Sequence, residues 1–173
     1  GAAVTMNRVI QSPAVAQHYP VLVEAARTVA SYPLRSRATI VGNLCNASPA
    51  GDTTGACIVY QAVLHVHGPK GDRTIPVTAF FEGPGKTALK TGEIVTALEL
   101  PLPPPGACGR YAKLGRNRLG DLAIVGVAAQ GFPERAAASG FTFRLALASV
   151  APVPLVPRDA ERVLAAARPT DET

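Results

Sequence analysis

The chain has 173 residues, 47% hydrophobic and 17% charged, which suffices for one ordinary core or two small ones and excludes overall disorder. Sixteen glycines and 16 prolines forecast many turns and short elements, yet fall below the roughly 25 to 30% combined share of low-complexity chains. The 17 Lys and Arg against 12 Asp and Glu give a net charge of +5, which attracts phosphates, acidic partners or nucleic acid without choosing among them.

Cys45, Cys57 and Cys108 are an odd set without CxxC spacing, which argues against a disulfide framework and against a zinc or iron-sulfur ligand cluster. A reducing, cytoplasmic setting is expected. No run reaches the ~18 apolar residues of a membrane span. Gly1 stands first rather than Met, and no charged segment with an apolar one behind it follows, so no secretion signal is expected.

In chain order, Val15, Tyr19, Leu22, Ala26 and Val29 recur at helical spacing within residues 12–31, which predicts a short turn and then a helix with Pro20 at its start. Residues 37–54 are rich in Asn, Ser, Thr, Gly and Pro and are read as mostly loop. Residues 56–67 read as a strand, 68–72 as a turn and 73–79 as a returning strand, forming a hairpin in an antiparallel sheet. Residues 83–85 form a Gly-Pro-Gly turn, and 93–100 another strand, ended by the proline-rich connector 101–106. Beyond it, 109–114, 121–129 and 141–150 predict a three-stranded sheet, the last strand carrying Phe141, Phe143, Leu145 and Leu147 on one face. Residues 158–168 predict a helix with an apolar stripe of Ala160, Val163, Leu164 and Ala167.

Most motifs have ordinary explanations. Gly85-Lys86-Thr87 fails as a phosphate loop because Phe80 occupies the position of the first glycine. Gly83, Gly85 and Ala88 fit the dinucleotide spacing, but Gly92 arrives too soon for the helix that must follow. His65 and His67 share one face of a strand without a third ligand in view. Arg110, Lys113, Arg116 and Arg118 place four cations within nine residues, so a basic module for RNA or an acidic protein is one reading. Aromatic residues are only 5% of the chain, too few for a stacking platform. The stretch 38–52 combines small residues with Thr39, Asn43, Asn46 and Ser48, suited to close backbone approach by a ligand, and ends in Asp52, which can accept from a sugar or ribityl hydroxyl.

That stretch, Ala38-Thr-Ile-Val-Gly-Asn-Leu-Cys-Asn-Ala-Ser-Pro-Ala-Gly-Asp52, resembles the ATIGGNLCNASPxxD segment of the FAD-binding subunits of molybdenum hydroxylases, the xanthine dehydrogenase and aerobic carbon monoxide dehydrogenase type. Ser12-Pro13, Tyr19-Pro20 with Glu24-Ala25-Ala26, Phe80-Phe81 with Gly83 and Lys86-Thr87-Ala88-Leu89, Glu93-Ile94, Tyr111-Ala-Lys113 and Gly120-Asp121 match in order and spacing over nearly the whole chain. The resemblance implies an α+β fold: residues 1–103 as the second subdomain of a vanillyl-alcohol-oxidase-type FAD-binding domain, with antiparallel sheet and helices, and 104–173 as a small C-terminal domain with a three-stranded sheet and helices. It also implies that the family's first subdomain is missing here and that the C-terminal domain is truncated after Arg168. The implied function is an FAD-binding electron-transfer subunit of an oxidoreductase, passing electrons from [2Fe-2S] clusters to NAD, oxygen or another acceptor. The partners it implies are a [2Fe-2S] small subunit and a large subunit with the molybdenum cofactor. No nucleic acid and no metal of its own are expected.

By position, Thr39, Ile40, Val41, Gly42 and Asn43 are implied to line the FAD diphosphate and ribityl region, Ser48 to belong to the same loop and Asp52 to bind the flavin side. Val95 is implied to pack on the isoalloxazine and Lys113 to lie close to the ring. Val41 stands where the family has glycine; an ordinary φ is expected there, with Gly42 free to supply any unusual dihedral.

Overall fold

The computed structural model describes residues 1–117 and 120–167. Six helices come first: α1 (Met6–Gln11), α2 (Pro13–His18), α3 (Pro20–Thr28), α4 (Tyr32–Arg35), α5 (Ile40–Cys45) and α6 (Asp52–Val59). Local capping explains their starts. Thr5, Ser12 and Thr39 each accept a hydrogen bond from a backbone N–H three residues on, and Pro13 and Pro20 sit in first turns where a missing N–H costs nothing.

Three sheets follow. Strands β1 (Val63–Gly68) and β2 (Gly71–Pro76) form the expected antiparallel hairpin, and β5 (Ile94–Glu99) pairs antiparallel with the other edge of β1. Between them β3 (Phe81–Gly83) and β4 (Lys86–Thr87) make a small ribbon around Pro84 and Gly85, where Gly85 has φ of +67°. The third sheet holds β6 (Cys108–Leu114), β7 (Val125–Pro133) and β8 (Phe141–Ala148) in the order β6-β7-β8, all antiparallel, and α7 (Arg158–Ala166) packs beside β8. The mixture of helices and antiparallel sheets is the α+β class read from the sequence.

The structure corrects several expected elements. Residues 37–54 are largely helical, holding α5 and the start of α6. Helix α5 is only six residues with a glycine inside, and all eight residues of α6 are buried, so neither shows the polar face from which a helical period is read. The predicted strand 56–67 begins only at Val63: α6 occupies its first part, and Gln61 at φ +54° makes the turn between them. The predicted strand 73–79 stops at Pro76 and continues as a 3-10 turn, Val77–Ala79. Strand β7 starts at Val125 rather than Asp121, because Asp121 is held in the preceding turn by Arg116 and by the N–H of Leu122.

The packing faces also differ from the expectation. On β8 the fully buried residues are Ala146 and Ala148, whereas Phe141, Phe143, Leu145 and Leu147 are half-buried on the other side. Small residues face α6 because the approach is close: a Cβ added to Gly55 would stand 3.2 Å from the Cβ of Ala128. The expected apolar stripe of α7 is largely outside; Val163 is exposed, while Glu161 is buried, accepting from the N–H of Leu145 and from Arg158. Arg168 lies outside the described residues.

The segments on either side of the 101–106 connector share one core. Ala128 and Ala146 join Val21, Leu22, Ala25, Ala56 and Val59 in a single buried cluster that also reaches Leu64 and Phe80. Helices α3 and α6 pack against each other and on the β6-β7-β8 sheet, while α5 meets the hairpin sheet at β5.

Candidate functional site

Thr39 ends an extended residue pair with Thr5 and begins α5, its Oγ1 accepting from the N–H of Gly42 at 2.8 Å. Ile40 and Val41 turn inward, 5% and 7% exposed, and help line an apolar cavity of about 160 Å³ with Val9, Leu22, Leu98 and Leu100. Val41 has the ordinary helical φ expected of it, and so does Gly42, so no special dihedral is needed in this turn.

Asn43 ties α5 to α6, accepting from Thr53 Oγ1 at 2.6 Å. Between the helices, Ser48 Oγ accepts from the N–H of Ala50, and Ala47 holds φ of +45° at the corner. Gly51 is required there, since a Cβ would stand 2.8 Å from Thr54 Oγ1. Thr39 and Asn43 thus belong to the start and body of α5, Asp52 to the first turn of α6, and Ser48 to the short connection between them.

Asp52 opens α6 and is 6% exposed. Its Oδ2 accepts from Lys113 Nζ at 2.9 Å, and its Oδ1 accepts from Tyr111 Oη at 2.8 Å; Lys113 donates also to the carbonyl of Thr28 at 3.3 Å. A buried carboxylate is stable only when paired and hydrogen-bonded in this way. Each carboxylate oxygen keeps a free lone pair for a further donor. Burial, and next the neighbouring Asp52, push the Tyr111 hydroxyl far above the ordinary phenol range. Beside this group Lys113 lines an open pocket of about 370 Å³ with Thr28, Leu114, Gly115, Arg116 and Asn117.

Val95, named by the resemblance, is 4% exposed in the core, while strand alternation turns its neighbour Ile94 outward at 62% exposure. Tyr111 and Glu24 are the site residues that chemistry alone did not single out. Glu24 accepts from Arg110 Nη1 at 2.6 Å and from the N–H of Tyr111 at 2.8 Å, clamping β6 to α3. The signal for Tyr111 was its place two residues before Lys113 on a strand, which puts both on one face.

The described cations of the basic run are each paired with a carboxylate, Lys113 in a buried place and Arg110 and Arg116 at the surface. Arg110 pairs with Glu24, Lys113 with Asp52 and Arg116 with Asp121; Arg118 lies outside the described residues. His65 and His67 do share the outer face of β1, bound to Glu99 at 2.7 Å and Asp72 at 2.6 Å. Among the described residues no helix is long and apolar enough to cross a membrane.

Residues 1–103 match the family described as FAD binding domain in molybdopterin dehydrogenase. The chain belongs to that family. It is 32% identical over 163 residues to the xanthine dehydrogenase FAD-binding subunit of Escherichia coli O157:H7, covering 94% of this chain and 55% of that protein. It is 34% identical over 155 residues to the carbon monoxide dehydrogenase medium chain of Hydrogenophaga pseudoflava, covering 90% of this chain and 53% of that one. A solved structure of carbon monoxide dehydrogenase from the same organism superposes with a TM-score of 0.91 at 34% identity, over 99% of this chain and 59% of that chain. The chain therefore spans about half the length of these relatives. Family membership favours the flavin reading over that of a basic RNA or acidic-protein module.

Proposed function

We propose that this chain contributes to an FAD-binding electron-transfer subunit of a molybdenum-dependent hydroxylase or dehydrogenase, with residues 1–103 as part of the flavin domain and 104–173 as part of the C-terminal domain. The observation that carries the reading is the junction of α6 and β6, where Asp52 and Lys113, 2.9 Å apart, stand together at the edge of a family-matched flavin domain. The donor set fits a flavin nucleotide. Thr39, Gly42, Asn43 and Ser48 supply short hydrogen-bonding groups, and the Ile40 and Val41 backbone approaches without side-chain obstruction. Asp52 has lone pairs left for a ribityl hydroxyl, and Lys113 gives a positive charge beside an open pocket. Of the two residues on β5, Ile94 rather than Val95 offers exposed aliphatic surface to a ring.

When bound, FAD would supply a store for electrons arriving from [2Fe-2S] clusters and leaving to NAD, oxygen or another acceptor. The chain's own part is to bind and orient it. The sheltered Asp52–Lys113 pair keeps one balanced charge pair near the ring, and the packed core beneath α5 and α6 excludes water from that side. The proposed partners are a [2Fe-2S] small subunit and a molybdenum-cofactor large subunit, in the cytoplasm.

Flavin absorbance of the full-length protein after desalting tests the reading, and a colourless protein in the presence of excess FAD would refute it. Asp52→Ala is expected to weaken FAD retention by about 1 to 3 kcal/mol, the worth of a hydrogen bond to a charged group with its partner left unpaired. Co-purification under gentle, low-salt conditions tests the partners; recovery of a lone subunit would remove them.

A further inference from the structure

We propose that Tyr111 is a positioning residue of the flavin site: its phenol fixes the Asp52 carboxylate and, through it, the Lys113 ammonium in the orientation that the flavin meets. The inference rests on the FAD reading above. It adds a residue that makes no direct contact with the cofactor and acts only through two that do.

The geometry divides the carboxylate between two donors. Tyr111 Oη holds Oδ1 at 2.8 Å, and Lys113 Nζ holds Oδ2 at 2.9 Å. A carboxylate with one donor turns easily, because the terminal torsion of aspartate is broad. With a donor on each oxygen its plane is set, and so are the directions of the two remaining lone pairs. The ammonium is set in turn, lying between Asp52 Oδ2 and the carbonyl of Thr28.

Three further features belong to the same device. Tyr111 itself is held at the backbone, where its N–H donates to Glu24 Oε2 at 2.8 Å. The β6–β7 register places Gly126 opposite Lys113, and a Cβ there would stand 2.7 Å from Tyr111 Oη, so glycine leaves the room through which the phenol passes to α6. Burial keeps the hydroxyl protonated well beyond the ordinary phenol range, so it serves as a donor and never as a competing anion beside Asp52. Filling space between sheet and helix would need only the ring; the hydroxyl is aimed at one oxygen of one carboxylate.

The test is Tyr111→Phe in the full-length protein, which keeps the ring and deletes the donor. FAD affinity is expected to fall about tenfold, or ~1.4 kcal/mol. The midpoint potential of the bound flavin is expected to move downward, because a carboxylate stripped of one donor opposes added electrons more strongly. Gly126→Ala is expected to give the same two shifts by displacing the phenol while every polar group is retained, and it carries the test if Tyr111→Phe does not fold. FAD affinity within about twofold of the wild type and an unchanged potential, in either folded variant, would overturn the proposal and leave Tyr111 a packing residue, whatever the change in melting temperature. Failure of the wild type to retain FAD is a separate outcome: it overturns the flavin reading, and this inference falls with it.

Discussion

Replacing Lys113 by methionine tests the central claim about the site without any cofactor. The side chains of Lys113 and Asp52 are 10% and 8% exposed and 2.9 Å apart. At an effective dielectric of about 20, Coulomb's law gives an attraction of ~6 kcal/mol at that separation, offset by the cost of drying two ions. Lys113→Met removes the compensating charge but not the carboxylate, and Tyr111 alone remains to satisfy it. Breaking a buried pair on one side costs about 3 to 5 kcal/mol. Set against a domain stability of about 5 to 15 kcal/mol, that loss is large. Urea unfolding with linear extrapolation measures it. The double variant Asp52→Asn, Lys113→Met should recover most of the loss, because no charge is then stranded. A single-variant cost below about 1 kcal/mol, or additivity of the two substitutions, would show that the pair is solvated and that the buried-latch argument is wrong.

Glu93 is held down to about 2 from its ordinary 4.5, first by its hydrogen bond with Arg73 and then by the N–H of Lys90. A carboxylate lowered on folding stabilises above its unfolded value and loses that contribution as pH falls toward its folded one; stability should therefore drop between about pH 4.5 and 2, and Glu93→Gln should flatten that part of the pH profile of unfolding, an unchanged profile refuting the assignment. Gly109→Ala should destabilise by about 1 to 3 kcal/mol or more in urea, since a Cβ would meet Gln130 Oε1 at 2.5 Å and Val21 Cγ2 at 2.7 Å, and a neutral result would show that β6 can shift away from α3. Val41→Gly should lower stability through lost burial and a weaker helix without improving FAD binding; a gain of about tenfold in affinity would mean that valine obstructs the ligand after all. Cys108 is exposed, whereas Cys57 is fully buried with its thiol pushed up to about 12, so a thiol reagent should label Cys108 at once and Cys57 only on unfolding; early labelling of Cys57 would contradict the packing of α6.

Where local chemistry decides, the sequence was sufficient. Alternation placed the β1–β2 hairpin and put His65 beside His67 on its outer face, Gly83 and Gly85 marked their turn, and the order of matched motifs gave the family and the α+β class. The resemblance also implied Asp52 and Lys113 as site residues. Where burial decides, it was not. Helix α6 is buried on every side, and in such a segment neither helical nor strand periodicity survives, so the sequence pattern puts Asp52 at the end of a loop whereas it stands in the first turn of a helix. Val95 carries an aliphatic side chain like Ile94, and only the pairing of β5 with β1 shows which of them turns inward. The four cations look like a stripe when counted along the chain, but Glu24, Asp52 and Asp121 lie 86, 61 and 5 residues from Arg110, Lys113 and Arg116. The first two of these partners meet their cations only after the sheet has packed on α3 and α6, which is why the sequence named Asp52 and Lys113 separately and the tertiary structure made them a pair.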